Sequence, residues 1–188
     1  FNIPLFGSSK YLERKPYPPG QHGQSRRRKA SDYALALAEK QKMRFYYGLM
    51  EKQFRGVYEK SIRRRGVTGE IMLQILETRL DSVVYSLGFG YTRAQARQMV
   101  THGHVLVNGK RACTPSIALQ EGDTVEIKTV EKSRHLADKN LEYSTSRIVP
   151  EWLTLDKAGY KGTVTRMPTR DDIEPVANEQ TIVEFYSR

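Results

Sequence analysis

From about residue 32 to residue 100, apolar residues recur every three to four positions. The period shortens to two only in brief runs near the middle and end of the chain. Leu80, Val83, Val84 and Leu87 stand at i, i+3, i+4 and i+7, one face of a helix that Gly88 and Gly90 are suited to stop. Thr92 is a fair N-cap for a second helix, Arg93 to Val100, which buries Ala96, Met99 and Val100 and places Arg93 and Arg97 on one shared face. His102 and Gly103 end it. Val105, Leu106 and Val107 then run into Asn108-Gly109, whose pairing of two residues tolerant of positive φ predicts a type I′ hairpin that Lys110 and Arg111 leave.

Before this stretch the same period predicts three helices. One is capped by Ser31 and spans Asp32 to Tyr47. A second runs through Leu49, Met50, Phe54, Val57 and Tyr58 into Arg63-Arg64-Arg65. A third, capped by Thr68, covers Glu70 to about Thr78. Tyr46, Tyr47, Phe54 and Tyr58 fall at helical spacing and read as core. Downstream, Glu121-Gly122-Asp123 turns into an alternating strand, Thr124 to Ile127. Glu131 to Thr145 reads as a helix or a polar linker, and strands are expected at Trp152 to Leu155, Gly162 to Thr165 and Ile182 to Tyr186. Phe1 to Gly23, with four prolines, reads as an extended arm.

Charge sharpens this picture. The 188 residues carry a net charge of +10, and the excess is not spread evenly. Residues 1–66 hold 16 Lys and Arg against 5 Asp and Glu, residues 67–130 hold 6 against 6, and residues 131–188 hold 9 against 10. A first third this basic calls for a polyanionic partner, a nucleic acid or an anionic membrane surface. The Arg26-Arg27-Arg28-Lys29 and Arg63-Arg64-Arg65 runs, Lys40, Lys42 and Arg44 on the first helix, and Arg79, Arg93, Arg97, His102, Lys110 and Arg111 around the hairpin are the candidate RNA contacts. No apolar run approaches the ~18 residues that span a bilayer.

Catalytic and cofactor readings fail on spacing. Five residues separate Gly103 from Gly109 and Arg111 stands where a phosphate-binding loop needs Ser or Thr, so the hairpin explains that segment better. Arg93 occupies the third glycine position of a dinucleotide fingerprint begun by Gly88 and Gly90. The four histidines show no metal spacing beyond the His102/His104 pair, which suits a surface or RNA contact better, Cys113 is alone, and Asp81 has no partner carboxylate and is expected to cap or pair locally. No catalytic residue, metal ligand or cofactor is assigned.

The motifs R-L-D (Arg79 to Asp81), G-F-G (Gly88 to Gly90), T-R-A-Q-A-R (Thr92 to Arg97) and V-L-V-N-G-K (Val105 to Lys110) resemble the small RNA-binding module named after bacterial ribosomal protein S-four. The flanks resemble that ribosomal family itself: Pro18 to Gly23, Ser31 to Ala34, Glu39 to Lys42, Tyr47-Gly48 through Glu51 to Phe54, and Asn178 to Gln180 followed by Ile182 to Ser187. The likeness covers roughly Tyr17 to Arg188. It implies an α+β, mainly helical protein with a basic arm (1–30), a helical domain (31–77), an inserted module (78–130) and a C-terminal β-containing segment (131–188) that packs back on the helical domain. It further implies a structural, non-enzymatic constituent of the cytoplasmic small ribosomal subunit, an organellar ribosome being the alternative. The resemblance assigns it 16S rRNA at a multi-helix junction early in assembly, an influence on translational accuracy, contact with ribosomal protein S-five, and a place where mRNA enters the particle. No membrane partner is implied. No cysteine precedes Cys113, which matches the family's zinc-free form. The rival readings are an RNA-modifying enzyme that carries the module for targeting, for which the 58 residues after Val130 are few, and a binder of DNA or membrane surfaces that uses charge alone.

Overall fold

The computed structural model describes residues 1, 3–6, 10–25, 29–145 and 147–187. Arg26, Arg27 and Arg28 lie outside the described residues. Among the described residues, eight α-helices and one five-stranded antiparallel sheet form two cores, an α+β and mainly helical arrangement.

The first core is helical. Helix α1 (Lys10–Arg14) is one short turn inside the segment expected to be extended; Pro4 and Pro16 flank it, and none falls within it. Helix α2 (Asp32–Tyr46) starts where the Ser31 hydroxyl accepts the Ala34 N–H at 3.3 Å, and the chain turns away at Gly48, φ +63°. Helix α3 (Glu51–Ile62) follows, and α4 (Thr68–Glu77) begins two positions before the Glu70 that the sequence suggests, with Val67 at the cap and Thr68 already in the first turn.

Residues 182–186, expected as a strand, lie instead in helix α8 (Glu179–Ser187). Asn178 starts it: its side-chain oxygen accepts the Thr181 N–H at 3.1 Å and its carbonyl the Ile182 N–H at 3.3 Å. Ile182 and Tyr186, four apart, then face α2 and α4, where Ile182 joins Met43, Tyr47, Phe54, Met72 and Leu76, and the Tyr186 ring stacks on Tyr58 at 4.9 Å. Tertiary burial on a helical period overrides the strand preference of a Thr-Ile-Val run.

The second core holds the sequence-predicted module. Helices α5 (Leu80–Ser86) and α6 (Arg93–Thr101) pack together, with the Thr92 hydroxyl accepting the Gln95 N–H at 3.1 Å. Gly90 permits this close approach, since a Cβ there would stand 2.7 Å from the Ala96 Cβ and 2.8 Å from its backbone. Strands β1 (Val105–Val107) and β2 (Lys110–Ala112) pair across Asn108 and Gly109, at φ +50° and +74°, as a type I′ turn requires. Gly109→Val, with nothing within 4 Å to collide with, should cost stability through the backbone alone, by more than ~1 kcal/mol. A thermal melt unchanged from the parent would contradict it.

The sheet runs β2-β1-β3-β5-β4, where β3 is Thr124–Ile127, β4 is Leu153–Asp156 and β5 is Lys161–Val164. Residues 131–165 therefore belong with the module, not with the helical domain to which all of 131–188 was expected to return. Strand β5 covers the open edge of β3, with Val125 opposite Gly162, where any Cβ would collide with Leu87. Trp152, Leu153 and Val164 enter the core of Leu80, Val84, Phe89 and Met99, and Ala137 of helix α7 (Glu131–Tyr143) joins them. A buried aromatic such as Trp152 is worth roughly 3–5 kcal/mol against Ala. Only the last stretch returns to the first core: Ile173 and Ile182 enter it, Asp172 accepts from Arg166 Nη1 and Nη2 at 2.5 and 2.8 Å, and Glu179 accepts from Arg170 Nε at 2.5 Å.

Candidate nucleic-acid interface

The basic side chains divide into those used inside the fold and those left on its surface. Arg93, the first residue of α6, belongs inside. Its Nη2 donates to Glu77 Oε1 at 3.1 Å, and its guanidinium lies 4.3 Å from the Tyr46 ring centre and 4.6 Å from those of Tyr47 and Tyr85. Tyr47 donates its hydroxyl to the same Glu77 oxygen at 2.6 Å. The Arg93 side chain is only 14% exposed, and its Nε and Nη1, which have no hydrogen-bond acceptor among the described residues, lie among these rings. Burial opposes the charged form of Arg93, but the Glu77 carboxylate and the two tyrosines outweigh it and raise its pKa. Burial pushes the Tyr46 phenol up to about 12 and Tyr47 well above its usual value, so both rings are neutral donors at physiological pH. This cluster joins the two cores: Glu77 and the tyrosines at 46 and 47 come from the helical unit, Arg93 and Tyr85 from the module.

Arg79 and Asp81 of the R-L-D motif form a second buried set. Arg79 Nε and Nη2 fork onto Asp81 at 3.0 and 2.8 Å, and Arg97 Nη1 reaches the same carboxylate at 3.1 Å. Asp81 Oδ1 also accepts the Ser82 N–H, so the expected local role of Asp81 is what the structure holds. Arg97 keeps 37% of its side chain in solvent, whereas Arg79 is buried.

On the helical unit, Lys40 is buried against Glu51 at 2.6 Å with its ammonium near the Phe185 and Tyr186 rings. Lys42 pairs with Glu39, and Arg44 bonds Gln41 at 2.6 Å, stands 3.9 Å from Glu51 and lies over Phe45. Burial alone would raise the Glu51 carboxyl, but hydrogen bonds from Lys40 and Tyr186 outweigh it and hold its pKa below the usual value. Glu39 of α2 and Glu51 of α3 largely neutralise these three cations.

The surface set is different. Lys29, Arg63, Arg64, Arg65, His102, Lys110 and Arg111 are exposed, and among the described residues none of them pairs with a carboxylate. Arg111 lies over Gly103, where a Cβ would collide with its guanidinium, which brings the hairpin against the end of α6. His102 and His104 stand 6.2 Å apart at that edge; burial, His102 and Lys128 together lower the His104 pKa. One residue missed by sequence reasoning, Arg147, clamps the loop before α6: Nη1 donates to the Tyr85 and Gly90 carbonyls at 2.9 and 3.2 Å, Nη2 to that of Tyr91 at 2.9 Å, and the guanidinium stacks on Tyr85 at 3.9 Å. Nothing in its local sequence marks it, since all its acceptors lie more than fifty residues away. Among the described residues, no three His, Cys, Asp or Glu side chains stand where they could hold a metal ion together.

A helical unit fused to a compact two-helix, hairpin-bearing module is matched over residues 1–125 by two known families. Residues 1–77 match the family described as Ribosomal protein S4/S9 N-terminal domain, and residues 78–125 match the S4 domain. The class is thus a ribosomal protein with an RNA-binding S4 domain. Small ribosomal subunit protein uS4 of Opitutus terrae is 54% identical over 188 residues, covering 100% of this chain and 93% of its own length. The protein of the same description in Akkermansia muciniphila is 50% identical over 189 residues with the same coverages, and that of Thermus thermophilus 52% over 179 residues, 94% of this chain and 85% of its own. The chain belongs to the uS4 family, structural proteins of the small ribosomal subunit and not enzymes.

Proposed function

We propose that this protein binds 16S rRNA directly as an early-assembling constituent of the cytoplasmic small subunit, clamping the backbones of helices that meet at a junction. The observation that carries this reading is the division of the cations. Acidic partners neutralise the buried set, while Arg63 to Arg65, Lys29 and the Lys110/Arg111 edge keep exposed charge with no carboxylate paired to it among the described residues. Rigid elements then present separated positive patches, which suits the crowded phosphates of folded RNA better than a uniform surface would. Arg97, half in solvent, joins the surface set. Lys40, Arg79 and Arg93 serve the fold, and Lys42 and Arg44 contribute little net charge. Nucleating assembly of the subunit body, supporting accuracy, touching ribosomal protein S-five and lying where mRNA enters belong to the same proposal, by likeness to the family.

Competition at equal salt tests it. Structured small-subunit rRNA should displace the chain from duplex DNA and from anionic vesicles at equal phosphate concentration. Equal affinity for the three would reduce the interface to bulk charge and sink the specific reading.

A further inference from the structure

A cleft of about 570 Å³ opens where the two cores meet, between the end of α2, the loop leading into α6 and the end of α7. Its composition is unusual for an apolar pocket. Among the described residues, seven aromatic rings and three arginines line it, and the aliphatic side chains there are Leu5 and Ala94. Part of this lining belongs to the Arg93 cluster, but the mouth is free of that work. Tyr91 and Tyr143, 47% and 61% exposed, meet edge to face there with centroids 5.8 Å apart, and Arg97 and Arg147 stand on the same walls.

Resting on the rRNA-binding reading above, we propose that this cleft accepts one unpaired base of the RNA, stacked on the Tyr91/Tyr143 pair. The chemistry selects that occupant. A base offers a π face to the rings and guanidinium planes that line the cleft. An aliphatic peptide side chain would meet arginines it cannot partner. The cleft volume falls in the range of small-ligand sites. The contribution is distinct from phosphate clamping because stacking displaces no counterions.

The test uses the full chain and small-subunit rRNA. Tyr91→Leu/Tyr143→Leu should weaken binding about 5- to 100-fold at fixed salt, the loss expected of one stacked base. The slope of log K against log salt should stay at the parent's value. Tyr91→Phe/Tyr143→Phe, which keeps both rings, should bind like the parent. Ultraviolet irradiation of the parent complex should leave a nucleotide adduct on a peptide containing Tyr91 or Tyr143. A parent that binds rRNA with a steep salt slope, together with a Leu variant of equal affinity and no adduct, overturns the stacking site and leaves the rRNA reading intact; the cleft then serves a protein partner or none. A reduced slope in the Leu variant also overturns it, because phosphate contacts would then have been lost. If the Leu variant fails to fold by circular dichroism, the Phe variant and the adduct still decide. A parent with no preference for rRNA fails at the earlier step, and the stacking site falls with it.

Discussion

Arg93→Glu should destabilise the fold by about 3–5 kcal/mol, the cost typical of breaking a buried ion pair by removing one partner. Arg93 is enclosed by Glu77 and three tyrosine rings. A carboxylate in its place meets the Glu77 carboxylate at close range and the negative faces of the rings, so attraction turns to repulsion with little water to screen it. The loss of cation–π contacts adds to this. Arg97→Glu should cost clearly less, since its side chain is 37% exposed and Asp81 keeps the Arg79 fork. Arg93→Lys should fall between, retaining charge but not the planar fork. Denaturant unfolding of the three variants measures this order. If Arg93→Glu unfolds at the parent's midpoint, the joint between the two cores does not depend on this residue. The consequence for function is that Arg93→Glu should lower RNA affinity by loosening the joint, with the salt slope of the folded fraction unchanged, whereas a lost phosphate contact would lower the slope itself.

The difference between Arg93 and Arg97 marks where sequence reading reaches its limit. Their spacing places both on one face of α6, and that is how they sit. What spacing does not carry is that Glu77, sixteen residues earlier, stands over the first and leaves the second half in solvent. The same holds for Lys40, whose partner Glu51 lies across a turn. Arg79 is the exception, because its partner Asp81 is two residues away and in plain view. Local signals read true where they are decided within a few residues: the period of α5, the Ser31 and Thr92 caps, and the positive φ demanded at Asn108-Gly109. Non-local pairing was not legible. Nothing in Lys161 to Val164 announces that it will close the edge of β3, and the Thr-Ile-Val run of α8 pointed to a strand until its cap at Asn178 and its burial on α2 and α4 decided otherwise. The aromatic cleft was invisible for the same reason, since Phe45, Tyr91 and Tyr143 meet only in three dimensions.

The largest effect expected of the assembled interface is its response to salt. If exposed cations neutralise about 6–10 phosphates, affinity for small-subunit rRNA should fall by roughly 10³–10⁵ between about 50 and 200 mM salt, on the scale set by duplex DNA. The surface set of Lys29, Arg63, Arg64, Arg65, Lys110, Arg111 and the half-exposed Arg97 is large enough to supply that number without any buried residue. The contribution of each patch follows from its geometry. Replacing Arg63, Arg64 and Arg65 with Ala should lower the slope by up to about three, and replacing Lys110 and Arg111 with Ala by up to about two, each contact counting for slightly less than one. Lys40→Ala should leave the slope alone, because Glu51 already cancels its charge and the ammonium never meets solvent or phosphate. Any affinity it loses should track the stability it loses. Salt titrations of the parent and these three variants separate the possibilities. A nearly flat parent titration removes phosphate neutralisation as the source of affinity. A slope that falls on Lys40→Ala but not on replacement of the Arg63 to Arg65 run would show the division between buried and surface cations to be drawn in the wrong place.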